Sequence, residues 1–222
     1  MSHAVKVLVN AFESSGKSTI TSQLEDALVF NMDSKEYGFK VPHVNMKEYE
    51  GMDNLIEFIS EKLETYNEKF GHYPKNVVFD TVTQLYVSMQ KYNGEKYKGF
   101  DEHKANNSDT LAFNAFIEQA LIPSDINVII VAHTIYDENT SRHIIPATGA
   151  FAKAGSWLSV VNEAVFIEKK SNKLVVHTSG FKYPARTTIE NLETNVNIED
   201  YSLQEHINKL NKQKIESTDL SL

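Results

Sequence analysis

The chain has 222 residues, 41% of them hydrophobic and 23% charged, which suffices for one domain with its own buried core. It contains no cysteine, which excludes disulfide bonds, cysteine-ligated zinc and thiol nucleophiles. Its formal net charge of −8 argues against a basic surface over the whole protein, the usual footprint of nucleic-acid binding. The sequence has neither a membrane-spanning apolar run nor an apolar leader, so we expect a cytoplasmic protein that does not enter membranes.

Apolar strands alternate with amphipathic helices along the sequence, which indicates an α/β fold with a mostly parallel sheet flanked by helices. The predicted strands cover residues 5–10, 27–33, 76–80 and 127–134, followed by a C-terminal β-hairpin over 160–170 and 173–180. The predicted helices cover residues 54–69 and 110–121, with a shorter one near 149–157. We assign residues 1–190 to one domain and 191–222 to a C-terminal extension. In that extension, Leu203 to Leu210 predicts a surface helix or a frayed tail.

The turn after the first predicted strand has a phosphate-binding motif. Residues 11–18 are A-F-E-S-S-G-K-S, which matches G-x-x-x-x-G-K-[ST] except that Ala11 replaces the first glycine. Backbone N–H groups from Ser14 to Ser18 can bind phosphate, Lys17 adds a positive charge, and the Ser18 hydroxyl can ligate Mg²⁺. Ala11 is tolerable at negative φ and strained at positive φ. A chance match is the alternative, and the position between a strand and a helix disfavours it.

Three polar residues stand at the ends of other predicted strands: Asp33, Asp80 and His133. Because ligands bind beyond the carboxyl ends of parallel strands, we expect these residues to lie near the phosphate-binding turn. Asp80 follows the apolar run V-V-F and is expected to hold Mg²⁺ through water. As an alternative, Asp80 caps the helix that follows it.

The motif residues resemble those of a known family. E-S-S-G-K-S-T (13–19) resembles the nucleotide loop of the bacterial recombinase RecA, and V-V-F-D-T-V-T-Q-L (77–85) resembles its second motif. N-V-I-I-V-A-H-T (127–134) resembles the core strand that follows, and residues 149–169 resemble the segment after the second DNA-binding loop. Over residues 5–186 the chain is most similar to small phage-encoded RecA-like P-loop ATPases. These are AAA-type nucleotide-binding proteins that act in single-strand annealing and recombination.

The resemblance implies a RecA-like P-loop fold and the hydrolysis of ATP with Mg²⁺. The metal ligands would be Ser18 and Asp80, and His133 would sense the γ-phosphate, although a core histidine is the alternative. Glu36, or Asp33 in its place, would be the general base. Arg186, with Lys182 as a possible helper, would act across a subunit interface, although a solvated surface charge is the alternative. The implied nucleotide-binding residues are Glu13, Ser14, Ser15, Gly16, Lys17, Ser18 and Thr19.

The resemblance also implies single-stranded DNA as a partner. Two loops would bind it, one over residues 135–147 with Arg142 and His143, and one from residue 148 with Phe151 and Lys153. A third segment, 90–104, interleaves aromatic residues with lysines, as in single-strand-binding proteins, although a solvated loop is the alternative. The implied protein is a DNA-stimulated ATPase of the host cytoplasm that acts in annealing, recombination or repair. It would form a ring or filament of identical subunits, with a single-strand-binding protein as a candidate partner.

Two other functions compete with this one. The net negative charge favours a nucleotide-dependent switch or loader that binds a protein partner and hydrolyses little ATP. A small-molecule kinase is disfavoured, because such enzymes bring several arginines to the phosphates and this chain has only Arg142 and Arg186.

Overall fold

A computed structural model describes residues 3–33, 35–46, 48–154, 156–180 and 182–218, except for the side chains of residues 153, 154, 217 and 218. Within these residues the strands are β1 (Lys6–Ala11), β2 (Ala27–Asn31), β3 (His43–Asn45), β4 (Asn76–Asp80), β5 (Asn127–His133), β6 (Ile135–Asp137), β7 (Arg142–Ile144), β8 (Glu163–Lys170), β9 (Lys173–His177) and β10 (Asn195–Asn197). The α-helices are α1 (Lys17–Thr21), α2 (Met52–Phe70), α3 (Val82–Lys96), α4 (Phe100–Phe116), α5 (Phe151–Ala154) and α6 (Leu203–Thr218). A π-helical turn (Ile117–Leu121) extends α4, and 3₁₀ turns lie at Ser156–Ser159 and Ile198–Asp200.

Eight of the described strands form one sheet, in the order β10, β9, β8, β1, β5, β4, β2, β3. The six strands from β8 to β3 in this order are parallel to one another, whereas β9 runs antiparallel to both of its neighbours, β8 and β10. The strands β6 and β7 form a separate antiparallel hairpin. This architecture confirms the predicted α/β fold, with its mostly parallel sheet and the C-terminal hairpin β8–β9.

The register of the sheet brings several strand ends to one edge. Ala11 at the end of β1 pairs with His133 at the end of β5. Asp80 at the end of β4 pairs with Val131 of β5 and Asn31 of β2. Since β5 lies between β1 and β4, the phosphate-binding turn, His133 and Asp80 meet at this edge.

Apolar side chains cover both faces of the sheet. On one face, the core between the sheet and the helices α2, α3 and α4 includes Phe79, Phe113 and the fully buried Trp157. The other face packs Val9, Val131 and neighbouring residues against α1 and α6. The sheet is therefore buried between helices, which leaves its carboxyl edge as the place for polar chemistry.

The helix predicted from residue 110 begins ten residues earlier, at Phe100. The segment 90–104, expected to be a loop, therefore lies mostly on the end of α3 and the start of α4. The two helices are joined there by buried asparagines, and Asn93 Nδ2 donates to Asn106 Oδ1 at 3.0 Å. Because the buried positions are polar, no apolar helical period was visible in the sequence.

The C-terminal extension is packed onto the sheet. The strand β10 pairs with β9, and α6 buries Leu203, Ile207 and Leu210 against the second face. The helix is thus formed, and its apolar stripe belongs to the core rather than to a frayed tail. The division of the chain at residue 190 stays a prediction. Among the helices of the described residues, none combines the length and apolar character that crossing a membrane requires.

Candidate nucleotide-binding site

The turn between β1 and α1 has the backbone of a phosphate-binding loop. Ser14 and Gly16 have positive φ, 54° and 83°, whereas Ala11 is the buried last residue of β1 and lies outside the left-handed region. The strain that a side chain would cause at the first motif position therefore does not arise. At Gly16 a Cβ atom would lie 2.8 Å from Ile198 Cδ1 and 3.0 Å from Leu174 Cδ1. The positive φ therefore favours glycine at this position, whereas a Cβ atom would require only that the ends of these two flexible side chains shift.

Lys17 is the buried cation of the loop. Its Nζ donates to the carbonyl oxygen of Phe12 at 2.8 Å and more weakly to that of Ala11 at 3.4 Å. Burial lowers the pKa of Lys17 to about 8, and the charges of Asp80, Asp33 and Glu13 oppose that shift. The ammonium group is thus held by loop carbonyls that phosphate oxygens can replace.

Ser18 and Asp80, the two residues predicted to bind Mg²⁺, are in direct contact. The Ser18 hydroxyl donates to Asp80 Oδ2 at 2.8 Å. Burial raises the pKa of Asp80 to about 6, with a smaller contribution from Asp33, while the hydrogen bond from Ser18 opposes the shift. The alternative in which Asp80 caps α3 is wrong, because the cap is Thr81, whose hydroxyl accepts from Gln84 N at 3.3 Å.

The two candidates for the general base differ in position. Asp33 faces the loop, and its Oδ1 accepts from the Thr81 hydroxyl at 3.2 Å. Its backbone N–H donates to Asn31 Oδ1 at 3.2 Å, which fixes the turn after β2. Glu36 is exposed and is not one of the described residues that face the loop. Of these two carboxylates, the structure thus brings Asp33 to the site.

His133 lies at the end of β5 and is half-buried rather than enclosed in the core. Its backbone N–H donates to the Thr83 hydroxyl at 2.9 Å, which ties β5 to the first turn of α3. Burial lowers the pKa of His133, and the charge of Lys17 lowers it further. A neutral imidazole is therefore favoured at neutral pH, and it can donate to one oxygen while it accepts at the other nitrogen.

These residues surround one cavity of about 380 Å³. It is lined by Glu13, Ser14, Ser15, Gly16, Lys17, Ser18, Thr19, Asp33, Lys35, Phe39, Asp80, Thr81 and His133. All seven predicted nucleotide-binding residues are included. Lys35 and Phe39 were not predicted, because they lie in an irregular connection without any motif. Thr81 was not predicted either, although its position next to Asp80 in the second motif was a signal.

Arg186 lies away from this cavity. Its backbone pairs with Ala164 near the start of β8, and its guanidinium donates to the carbonyl oxygen of Val161. Since β8 is parallel to β1, this position is toward the edge opposite the phosphate-binding loop. Arg186 therefore does not face its own cavity, and its action across a subunit interface stays a prediction.

The predicted DNA-binding residues divide into two groups. Arg142 and His143 lie on β7, and the His143 ring packs against Phe12 and Tyr136 at centroid distances of 5.2 and 5.4 Å. Phe151 is only 4% exposed and packs on Trp157 at 4.9 Å, so the prediction that its side chain binds DNA is wrong, because the ring belongs to the core. The side chain of Lys153 lies outside the described residues.

A phosphate-binding loop after β1, with Asp80 and His133 beside it at one sheet edge, defines a P-loop nucleotide-binding domain. The model of a protein family described as "AAA domain" matches residues 3–178. The chain belongs to this family of AAA domains, the class of P-loop ATPases that use a nucleotide and Mg²⁺. No curated protein matches the chain.

The residues of the cavity fit ATP and Mg²⁺. The hydroxyl of Ser18 and the carboxylate of Asp80 are hard oxygen ligands in mutual contact, the type that Mg²⁺ prefers. In the part of the chain that the structure describes, no three acidic or histidine side chains gather as a metal cluster. The cation would thus take its other ligands from phosphate and water, as in other phosphoryl-transfer sites.

Proposed function

We propose that the protein is a RecA-like ATPase that binds ATP and Mg²⁺ in this cavity and acts on single-stranded DNA in annealing, recombination or repair. The observation that carries the proposal is the strand order, in which β5 lies between β1 and β4. This order gathers the phosphate-binding loop, the carboxylate of Asp80 and the imidazole of His133 around one cavity. The similarity of these motifs to those of phage-encoded RecA-like proteins supports the DNA-related role.

The cavity residues have separate tasks in the proposed hydrolysis. Lys17 and the loop N–H groups bind the phosphates, and Mg²⁺, held by Ser18 and Asp80, would neutralise phosphate charge. Asp33 orients the attacking water and takes its proton, while the Thr81 hydroxyl holds the carboxylate in position. The bond between the γ-phosphorus and the bridging oxygen breaks, which yields ADP and phosphate. His133 senses the γ-phosphate.

Asp33→Asn is expected to lower kcat for ATP hydrolysis by roughly 100-fold or more, because an amide cannot take the proton from water. Glu36→Gln is the matched control and is expected to change kcat less than about two-fold, since removal of an exposed charge away from the site has little effect on the barrier. Phosphate release measures the rate, and a fluorescent ATP analogue checks that both variants still bind nucleotide. A larger loss in Glu36→Gln than in Asp33→Asn would reassign the general base to Glu36.

The β6–β7 hairpin is the proposed surface for single-stranded DNA. It begins two residues after His133 and exposes Ile135, Tyr136 and Ile144. An exposed aromatic ring near Arg142 matches how proteins stack the bases of a single strand and bind its backbone. With a net charge of −8, the protein is expected to bind DNA weakly and with strong dependence on salt.

Tyr136→Ala is expected to weaken binding of a labelled single-stranded oligonucleotide by roughly ten-fold, because stacking of one base is lost. Tyr97→Ala, which removes an equally exposed tyrosine between α3 and α4, is the control and is expected to bind like the wild type. Retention of the labelled oligonucleotide by the protein at low salt measures binding. ATP hydrolysis is measured with and without the oligonucleotide.

The outcome separates the two candidate functions. A wild-type protein that neither retains the oligonucleotide nor hydrolyses ATP faster in its presence would exclude the DNA-related role. That result would favour a nucleotide-dependent switch or loader with a protein partner, the alternative that the negative charge supports. A loss in Tyr97→Ala would instead assign DNA binding to the segment around residues 90–104.

A ring or filament of identical subunits remains part of the proposal. Arg186 is exposed and distant from its own cavity, which is compatible with a cation that acts on the nucleotide of a neighbouring subunit. A single-strand-binding protein is proposed as a further partner, and the host cytoplasm as the location.

A further inference from the structure

The connection between β2 and β3 adds a second cation to the nucleotide cavity. Among the described residues that line it, Lys17 and Lys35 are the positively charged ones. Lys17 belongs to the phosphate-binding loop, whereas Lys35 approaches from the side of Asp33 and Phe39. The two ammonium groups thus belong to different walls of the same cavity.

The backbone at Lys35 is fixed by a buried asparagine. The Nδ2 group of Asn31, at the end of β2, donates to the carbonyl oxygen of Lys35 at 2.7 Å and to Asn45 Oδ1 at 2.7 Å. The Oδ1 atom of Asn31 accepts from the N–H of Asp33. One side chain thus sets the turn that presents both Asp33 and Lys35 to the cavity.

The charge of Lys35 acts on His133, the proposed sensor of the γ-phosphate. It contributes, together with Lys17, to the lowering of the pKa of His133. Both side chains line the same cavity, His133 from the end of β5 and Lys35 from the connection between β2 and β3. A terminal phosphate between them would meet the Lys35 ammonium.

The proposed reaction needs positive charge near the γ-phosphate, and the Lys35 ammonium can supply it. Transfer of the γ-phosphoryl group needs cations around its oxygens, and many P-loop ATPases receive one as an arginine from a neighbouring subunit. This chain has only two arginines; Arg142 lies on the β6–β7 hairpin, and Arg186 lies toward the opposite edge of the sheet. Lys35 already lines the cavity of its own subunit.

We infer that Lys35 is a catalytic residue that binds the γ-phosphate from within the same chain and stabilises the charge of the transition state. The inference rests on the proposed ATP hydrolysis at this cavity. Lys35 would thus supply the cation within one subunit, whereas the sequence predicted such a cation, Arg186, only across a subunit interface. Because ADP lacks the γ-phosphate, Lys35 also favours the triphosphate over the diphosphate.

The test compares Lys35→Ala with Lys40→Ala, which removes an exposed lysine of the same connection that does not line the cavity. Calorimetry measures the affinities for ADP and for a slowly hydrolysed ATP analogue in the presence of Mg²⁺. In Lys35→Ala, binding of the analogue is expected to weaken roughly ten-fold while ADP binding changes less than about two-fold, because one charge-assisted hydrogen bond to the γ-phosphate is lost. Lys40→Ala is expected to match the wild type, and Lys35→Arg to keep most of the preference for the triphosphate.

Kinetics give a second, independent readout. Lys35→Ala is expected to lower kcat by roughly 10-fold to 100-fold at a fixed protein concentration. A binding preference in Lys35→Ala equal to that of the wild type would overturn the inference. The inference would also be overturned if the ATPase rate per subunit fell sharply on dilution of the wild type and in Arg186→Ala but was unchanged in Lys35→Ala. A wild type that binds both nucleotides without hydrolysis would refute the proposed ATPase activity and the transition-state role of Lys35, and the affinity ratio would then decide whether Lys35 binds the γ-phosphate.

Discussion

Lys17→Ala is expected to abolish measurable ATP hydrolysis and to weaken ATP binding by roughly 100-fold or more. The buried ammonium donates to the carbonyl groups of Phe12 and Ala11, and burial lowers its pKa. Phosphate oxygens are stronger acceptors than these carbonyls, and each charge-assisted hydrogen bond contributes about 1.5–3 kcal/mol. Two such bonds, lost together, correspond to the expected effect.

The measurement is phosphate release, combined with titration of a fluorescent ATP analogue. Lys40→Ala serves as the control for a lysine near the cavity but outside it. Circular dichroism checks the fold, which is expected to persist because the hydrogen bonds of Lys17 Nζ go to carbonyl oxygens of its own loop. If hydrolysis continued in Lys17→Ala at the wild-type rate, the assignment of the loop to phosphate binding would be wrong.

Glu163→Ala is expected to lower the free energy of unfolding by about 3–5 kcal/mol. Glu163 is fully buried at the start of β8, and one of its oxygens accepts from Thr188 N at 2.6 Å and from the Thr188 hydroxyl at 2.7 Å. The other oxygen lies 3.1 Å from His206 Nε2 on α6, and Tyr201 contacts the second nitrogen of that imidazole at 2.9 Å. Alanine would leave these buried polar groups without their acceptor.

The contribution of Glu163 to the free energy of unfolding is expected to depend on pH. Burial alone would raise the pKa of Glu163, but hydrogen bonds from His206, Thr187 and Thr188 outweigh it and hold the pKa below its ordinary value. A carboxylate with a depressed pKa stabilises the fold above the pKa of the unfolded chain, and that stabilisation is lost as the pH falls through the folded value. The difference in unfolding free energy between wild type and Glu163→Gln should therefore shrink below about pH 4.5.

Urea unfolding at several pH values measures both effects. Glu190→Ala removes an exposed carboxylate from the segment near Thr188 and is expected to change the free energy of unfolding by less than about 0.5 kcal/mol. Equal stability of Glu163→Ala and Glu190→Ala would contradict the view that this network secures α6 to the sheet.

The sequence was sufficient for those parts of the site that are local in the chain. The phosphate-binding loop is contiguous, and the apolar runs before Asp80 and His133 predict buried parallel strands. Since such strands share one carboxyl edge, their end residues were predictable neighbours of the loop. At Ala11 the sequence left open whether φ is negative or positive, and the structure shows that Ala11 is not among the residues with positive φ.

The parts that the sequence could not predict depend on contacts between distant segments. Phe151 stands in a polar stretch like an exposed aromatic residue, but its ring packs on Trp157 in the core. Lys35 reaches the cavity because Asn31 and Asn45 fix an irregular turn that has no sequence period. The position of Arg186 depends on a backbone pairing with Ala164 that no local pattern reveals.

The central place of β1 also determines when the nucleotide site can exist during synthesis. This strand is made before the strands β5 and β8 that flank it, yet the Val5 N–H donates to Asn127 Oδ1 across 122 residues and the Lys6 N–H donates to Asn162 Oδ1 across 156. Pairings of such long range form slowly, because a large loop must close before they stabilise the chain. The phosphate-binding loop therefore lacks its scaffold until β8 has been made. ATP is consequently a ligand of the assembled sheet, and its binding shifts the folding equilibrium only for chains that already include β8.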